Sequence, residues 1–341
     1  MSDIKVSIIV AVYNAEMTLE RCLHSLVNQT LKEIEIICVN DASTDNSLKL
    51  LKEWSIVDKR IKVISYMNNM RQGYARNVGI KHSKGKYIGI VDSDDFIDSR
   101  MYEVLLANSC GMTSDLVMSD SYYSFNEGES CLVRNVRPEL KDIHEIKKEC
   151  IAHGAAMWTN IVKREFLFRN NLSYPVNIQY EDNVFNPIVY LLANDIQIVH
   201  QGFYYYCVNP SSTIHKKNNP FIFDRLVASR MFLDSMFKLN LYKQWQEEID
   251  YYFYRVFLFN TYLGIINTYD DLPISRMKRI TNDYLSVAGL SITRNSYFRE
   301  SLQSLDERIL CYACLHPFAT RLIYIYMYYL KIISLIARVL K

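Results

Sequence analysis

Residues 6 to 105 alternate four times between an apolar, β-branched run and an amphipathic helix pattern, and no other feature constrains the fold as strongly. The runs are VSIIVAV from Val6, IEIICVN from Ile34, IKVISY from Ile61 and KYIGIVD from Lys86. After the first run, Leu19, Cys22, Leu23 and Leu26 recur at i, i+3, i+4 and i+7. Leu48, Leu51 and Trp54 give a second helix one apolar face, and the polar stretch NDASTDNS before it supplies caps. GYARNVGIKHS predicts a short third helix, and Asp98 caps a fourth that carries Met101, Val104 and Leu105. Strands apolar on both faces and joined by helices call for a parallel α/β sheet covered on both sides.

In such sheets ligands bind beyond the carboxyl ends of the strands. Three polar clusters fall there: Tyr13-Asn14, Asn40-Asp41, and an acid group in which Asp92, Asp94, Asp95 and Asp98 occupy four of seven positions. Acids this close repel one another. The chain has neither G-x-G-x-x-G nor G-x-x-x-x-G-K-[ST], so dinucleotide and P-loop readings lack their phosphate cradle. A divalent cation offers another way to neutralise phosphate. Mg2+ or Mn2+ takes oxygen ligands, bridges diphosphate oxygens and offsets the repulsion. The bland alternative is a helix cap with solvated loop acids, and for Asp98 that reading is preferred.

Half of the 341 residues are hydrophobic and 22% are charged, which suits a folded core in one large or two smaller domains. A net charge of +2 gives no global argument for a nucleic-acid partner. The apolar run from Val6 to Val12 is too short for a secretory signal and leads directly into Tyr13-Asn14. The eight cysteines are therefore expected to be reduced thiols in a cytosol, with the lone pair Cys311 and Cys314 packed in a helix rather than holding zinc.

Three stretches carry a family resemblance: VSIIVAVYNAEMTLERCLHSLVNQTLKEIEIICVNDASTDNS, RQGYARNVGIKHSKGKYIGIVDSDD and YEDNVF. In order and spacing the chain resembles a family 2 glycosyltransferase over roughly residues 4 to 215. The resemblance implies a GT-A nucleotide-sugar fold over residues 1–218 and inverting transfer of one sugar, with a helical region over 219–341. Ala11 and Tyr13 match positions that flank the nucleotide base. Asp41 matches the acid that accepts the imide N–H of uracil, which favours a UDP-linked donor. Arg71 and Arg76 lie in the stretch that lines the nucleotide pocket, where either is placed to neutralise phosphate. Asp92-Ser93-Asp94 matches the D-x-D signature, with Asp94 the more direct metal ligand and Asp92 nearer the ribose.

Direct displacement also needs a base for the attacking hydroxyl. Glu181 and Asp182 open a helical pattern with Pro187 in its first turn; acids there are also ordinary dipole partners. With the resemblance, Asp182 is the expected base, Glu181 a supporting or acceptor-binding group, and Trp158 an acceptor contact or a core residue. His215, in the polar turn after the strand from Ile196 to Val208, is the candidate to complete the metal shell. Two departures stand out. Asn40-Asp41-Ala42-Ser43 replaces a common D-D-G-S, and Cys207 stands where many members have arginine.

Beyond residue 220 the chain reads as helical and aromatic. The last stretch, from Pro317, has a basic stripe of Lys331, Arg338 and Lys341 on an otherwise apolar, tyrosine-rich helix pattern. Such a helix suits the inner face of a cytoplasmic membrane, with docking on the protein or a homodimer contact as the alternatives. The acceptor expected there is a lipid-linked or growing surface glycan. Two rival enzymes fit less well. A sugar-1-phosphate nucleotidyltransferase needs a glycine-rich loop where AVYNAEMTLE stands, and a processive synthase needs several spanning helices. A non-catalytic nucleotide-sugar-binding scaffold is the alternative of a different class.

Overall fold

The structure, a computed structural model, describes residues 3–126, 129–208, 217–270, 273–288 and 294–301, together with 308, 311, 312, 315, 316 and 329. The chain divides into two compact units, Met1–Asn209 and Pro210–Lys341.

The first unit is built as the alternation predicts. Strands β1 (Val6–Val12), β2 (Ile34–Asp41), β3 (Ile61–Tyr66) and β4 (Tyr87–Asp92) are mutually parallel in the order β3-β2-β1-β4. Helices α1 (Leu19–Val27), α2 (Ser47–Val57) and α3 (Arg71–His82) connect them. Ile8, Val10, Ile36, Cys38 and Val91 are fully buried, as strands covered on both faces require. Beyond β4 the sheet becomes mixed. After β5 (Phe96–Ile97) and α4 (Met101–Ala107) come β6 (Leu116–Asn126) and β7 (Glu129–Val133), then α5 (Ile143–His153), β8 (Asn160–Lys163), α6 (Arg164–Arg169), α7 (Asp182–Leu192) and β9 (Ile196–Cys207). β8 is antiparallel to both β4 and β6, whereas β6 and β9 run parallel.

Two details differ from the sequence reading. Asp98 serves α4 one turn early: its carboxylate accepts from the Arg100 N–H at 2.8 Å, and Arg100 is the residue preceding the helix. Pro187 is the sixth residue of α7, not in its first turn, so it leaves the Asn183 carbonyl without its i+4 donor.

Within the second unit, α8 (Asp224–Lys238) precedes a continuous helical run. That run is α9 (Gln246–Tyr252), a π-helical segment (Phe253–Phe259) and α10 (Asn260–Thr268); α11 (Ile274–Ala288) and α12 (Ser296–Ser301) follow. Phe232, Tyr252, Phe257 and Tyr262 are buried there, and the Tyr262 hydroxyl donates to the Met277 carbonyl at 2.9 Å. The wide apolar patterns read after residue 220 are thus a helical core. No helix among the described residues is long and apolar enough to cross a membrane. Apart from Tyr329, the tail from Pro317 lies outside the described residues, as does His215.

Candidate active site

The carboxyl ends of β2, β1 and β4 lie side by side, since Ala11 pairs with both Val39 and Asp92. The loops leaving β1 and β2 clasp each other. Asn14 accepts from the Thr44 N–H at 2.7 Å and donates its own N–H to Ser43 Oγ at 3.0 Å; Ala15 N–H donates to Ser47 Oγ at 2.8 Å. Most of the polar stretch expected to cap α2 is spent on this clasp. Asp45 alone does both tasks, accepting from Glu16 N–H at 3.0 Å and Ser47 N–H at 2.9 Å. Ala42 sits at φ +59°, the left-handed region that glycine tolerates best, which explains why a glycine suits the position where this chain departs from D-D-G-S.

Tyr13 stands at the end of β1 with 52% of its surface exposed, while Asp41 is buried at the end of β2. One Asp41 carboxylate oxygen accepts from the Met70 N–H at 2.7 Å. Arg71 opens α3 at φ +69°.

The acid loop is pinned from beneath by α1 and the residue before it. Thr18 Oγ1 donates to the Ser93 carbonyl at 3.1 Å, and Arg21 Nη2 to the Asp94 carbonyl at 2.6 Å. Its three acids then have separate fates. Asp92 accepts from Gln72 at 2.9 Å and from Arg76 at 2.7 Å on one oxygen. Asp95 is buried, accepting from the Tyr204 hydroxyl and from the Cys207 N–H, each at 2.7 Å. Burial, reinforced by Asp92 and Asp94, pushes its carboxyl up to about 8, so Asp95 is held largely protonated near neutrality. Asp94 is half-buried, and burial and then Asp92 raise its pKa against a hydrogen bond from its own backbone N–H and the pull of Arg21.

Much of the repulsion that suggested a cation is therefore relieved within the protein, by one guanidinium and a set of neutral donors. Among the described residues no group of three or more His, Cys, Asp or Glu converges on a metal position. One carboxylate, that of Asp94, still fits Mg2+ or Mn2+, which bind through one or two carboxylates plus substrate phosphates and water rather than in all-protein cages.

α3 ties this loop to the acids at α7. Gly73, Arg76 and Asn77 share one helix face, at i, i+3 and i+4. Asn77 clamps the Tyr174 backbone in both directions at 2.8 Å. A Cβ at Gly73 would lie 2.2 Å from the Pro175 carbonyl oxygen and 3.0 Å from Glu181 Cγ, so only glycine lets the loop pass. Arg76, 5% exposed, donates Nη2 to Asp92 at 2.7 Å and Nη1 to Glu181 at 2.8 Å, and its guanidinium lies 5.2 Å from the Tyr174 ring centre. Burial works against its charge, but the two carboxylates outweigh it and hold Arg76 cationic. Burial pushes Glu181 up to about 7 against the pull of Arg76. Asp182, the first residue of α7, is half-buried and accepts from the Asn183 N–H at 2.9 Å. Trp158 is half-buried with its ring 4.3 Å from that of Tyr204.

The structure thus brings Asp92, Arg76, Glu181 and Asp182 together and sets Ala11 beside Asp92. Sequence reasoning missed Gln72, Asn77 and Tyr204. The glycine–arginine–asparagine stripe on an otherwise core-facing helix was the available signal for the first two.

A model of the family described as Glycosyl transferase family 2 matches residues 7–165. EpsH of Bacillus subtilis (strain 168) is 30% identical over 253 residues, covering 72% of this chain and 73% of EpsH. EpsJ of the same organism, an uncharacterized glycosyltransferase, is 34% identical over 218 residues, 61% of this chain and 62% of EpsJ. GlyA, a glycosyltransferase of Streptococcus pneumoniae, is 31% identical over 62% of this chain but only 31% of GlyA, so the match spans less than two thirds of either of these two relatives. Residues 1–349 of S. aureus TarS in complex with UDP superpose with a TM-score of 0.70 at 22% identity, covering 93% of this chain and 88% of that one. A mannosyltransferase of Pyrobaculum calidifontis in complex with GDP-Man and Mn2+ gives 0.51 at 14% identity, covering 93% and 86%. The fold is the GT-A type expected from the sequence, and the chain belongs to glycosyl transferase family 2.

Proposed function

We propose that this glycosyltransferase moves a single sugar from a UDP-linked donor to a hydroxyl of a lipid-linked or growing surface glycan, inverting the anomeric centre in one displacement. The observation that carries the reading is the Arg76 bridge. One buried guanidinium joins Asp92 of the acid loop to Glu181, the residue before Asp182. A group suited to binding the donor is thereby tied through one side chain to the neighbour of a group suited to activating the acceptor, the kind of fixed positioning on which direct displacement depends.

In this reading Tyr13 stacks on the base, and Asp41, with one oxygen fixed by Met70, presents the other to the uracil imide. TarS in complex with UDP and with UDP-GlcNAc supports the choice of nucleotide. Asp94 would hold Mn2+ or Mg2+, which supplies positive charge to the leaving diphosphate. Arg76, engaged by two carboxylates, orients Asp92 and Glu181 rather than binding phosphate. Asp182, the first residue of α7, takes the acceptor proton. Peripheral attachment to the inner face of the cytoplasmic membrane, through the basic stripe after Pro317, would bring the site to a lipid-linked acceptor.

The test is calorimetric and kinetic. Wild-type protein with Mn2+ should bind UDP and hydrolyse at least one of UDP-glucose, UDP-galactose or UDP-GlcNAc slowly. Asp182→Asn should leave the UDP Kd within about twofold while lowering turnover ~10²-fold or more. UDP binding with no turnover by the wild type would favour the scaffold reading.

A further inference from the structure

Four aromatic rings lie in a row on the acid-loop side of the sheet. Successive side chains of a strand point to opposite faces, so Tyr204 and Tyr206 share a face of β9 and Tyr205 takes the other. The ring contacts agree. Trp158 meets Tyr204 at 4.3 Å and Tyr206 at 5.9 Å between centres, whereas Tyr205 stacks on Phe96 and Tyr122. β6 pairs Tyr123 with Tyr206, and these rings meet edge to face at 5.1 Å.

The row begins at the acid loop. The Tyr204 hydroxyl donates to Asp95 and accepts from the Asp92 N–H at 3.1 Å. It ends at the surface, where Tyr123 is 38% exposed; Trp158 and Tyr206, between the two ends, are half-buried. Among the described residues no cation stacks on these four rings. Burial, with the nearby acids as smaller causes, pushes the Tyr206 phenol up to about 12, so the row is made of neutral rings. An anionic occupant would lose its water there without gaining a counterion from these rings. A neutral ring that presents polarised C–H groups suits the negative faces of indole and phenol, while its rim of hydroxyls finds the phenolic oxygens. A pyranose has that form.

We propose that Trp158, Tyr206 and Tyr123 form an acceptor subsite for two successive neutral pyranose rings, the terminal sugar against Trp158 and the preceding one toward Tyr123. The inference rests on the glycosyl-transfer reading above and assigns it an acceptor class: the accepting end is a neutral saccharide of at least two units.

The experiment uses the full chain with UDP and Mn2+ present. Binding is followed by saturation-transfer NMR for methyl β-glycosides of glucose, galactose and N-acetylglucosamine, and for cellobiose, lactose and chitobiose. At least one disaccharide should bind about fivefold tighter than its monosaccharide, the gain expected from one further ring contact. Tyr123→Ser, at the exposed end of the row, should remove that advantage. Trp158→Leu and Tyr206→Leu should abolish saccharide binding, and all three variants should keep UDP affinity within about twofold. UDP binding without binding of any saccharide in the panel overturns the proposal, as does a disaccharide advantage that survives Tyr123→Ser. Failure of the wild type to bind UDP overturns the glycosyl-transfer reading itself, and this subsite with it.

Discussion

Replacing Arg76 by methionine should be among the most damaging single changes to the first unit. Methionine keeps an unbranched apolar stem beside Tyr174 but removes two charge-assisted hydrogen bonds, at 2.7 and 2.8 Å. Removing one member of a buried ion pair costs about 3–5 kcal/mol, because the remaining charge loses its counterion. Here the two acids do not suffer equally. Asp92 keeps Gln72 at 2.9 Å, and its side chain is 20% exposed. Glu181 is 6% exposed at the side chain and has Arg76 as its hydrogen-bond partner. The loss should therefore fall near the lower end, about 3 kcal/mol, with Glu181 carrying most of it. For a unit of this size that corresponds to a fall in Tm of roughly 6–12 °C, measurable by differential scanning fluorimetry. A second substitution tests the cause. Glu181→Gln in the Arg76→Met background removes the stranded acid and should restore about 1 kcal/mol or more. A single variant melting within about 2 °C of wild type, or a double variant no more stable than the single, would refute the bridge as an energetic link.

Further expectations follow from neighbouring features. Gly73→Ala places a Cβ 2.2 Å from the Pro175 carbonyl oxygen, so the loop must retreat. It should cost about 1–3 kcal/mol by thermal melt and lower turnover more than UDP affinity, because Glu181 moves with the loop. Asp94→Asn should leave Tm near wild type, since burial and Asp92 already disfavour its charge, while abolishing the Mn2+ dependence of UDP binding seen by calorimetry. Asp120 is fully buried, and one oxygen lacks a hydrogen bond, with Arg134 at 3.6 Å; burial raises its pKa. The folded state then binds the proton more tightly than the unfolded one. The stabilising contribution is complete below the unfolded pKa and is lost as pH rises through the folded value. Asp120→Asn should accordingly gain about 1 kcal/mol over wild type near pH 8 in urea melts, shrinking toward pH 4. A gain independent of pH would exclude ionisation as its source.

The parallel half of the sheet was legible because its strands are apolar on both faces and its helices keep a 3.6-residue period. The mixed half was less so. β6 spans LVMSDSYYSFN, in which serines and an aspartate interrupt the apolar run, and β8 is only four residues long. The positions of Asp41 and Asp92 at strand ends followed from where apolar runs stop. The division of labour among Asp92, Asp94 and Asp95 did not, because it depends on Tyr204 and Cys207, more than 100 residues downstream in the chain. Arg76 shows the same limit from the other side. Its type suggested phosphate, whereas its burial and partners give it two carboxylates.

The face of α3 formed by Gly73, Arg76 and Asn77 also bears on how enzymes of this kind can be recombined. Asn77 holds the loop at Tyr174, Gly73 admits it, and Arg76 joins its end to the acid loop. Residues 71–95 and 174–182 therefore behave as one interlocking part, although some 80 residues of chain separate them. A chimera that takes one segment from this chain and the other from a relative would mismatch both the clearance at Gly73 and the charges at Arg76. Exchanges confined to the intervening residues, including the β6–β7 hairpin that carries Tyr123, leave that part whole. Such exchanges would replace Trp158 and Tyr123 while the links from Arg76 to Asp92 and Glu181 are inherited intact.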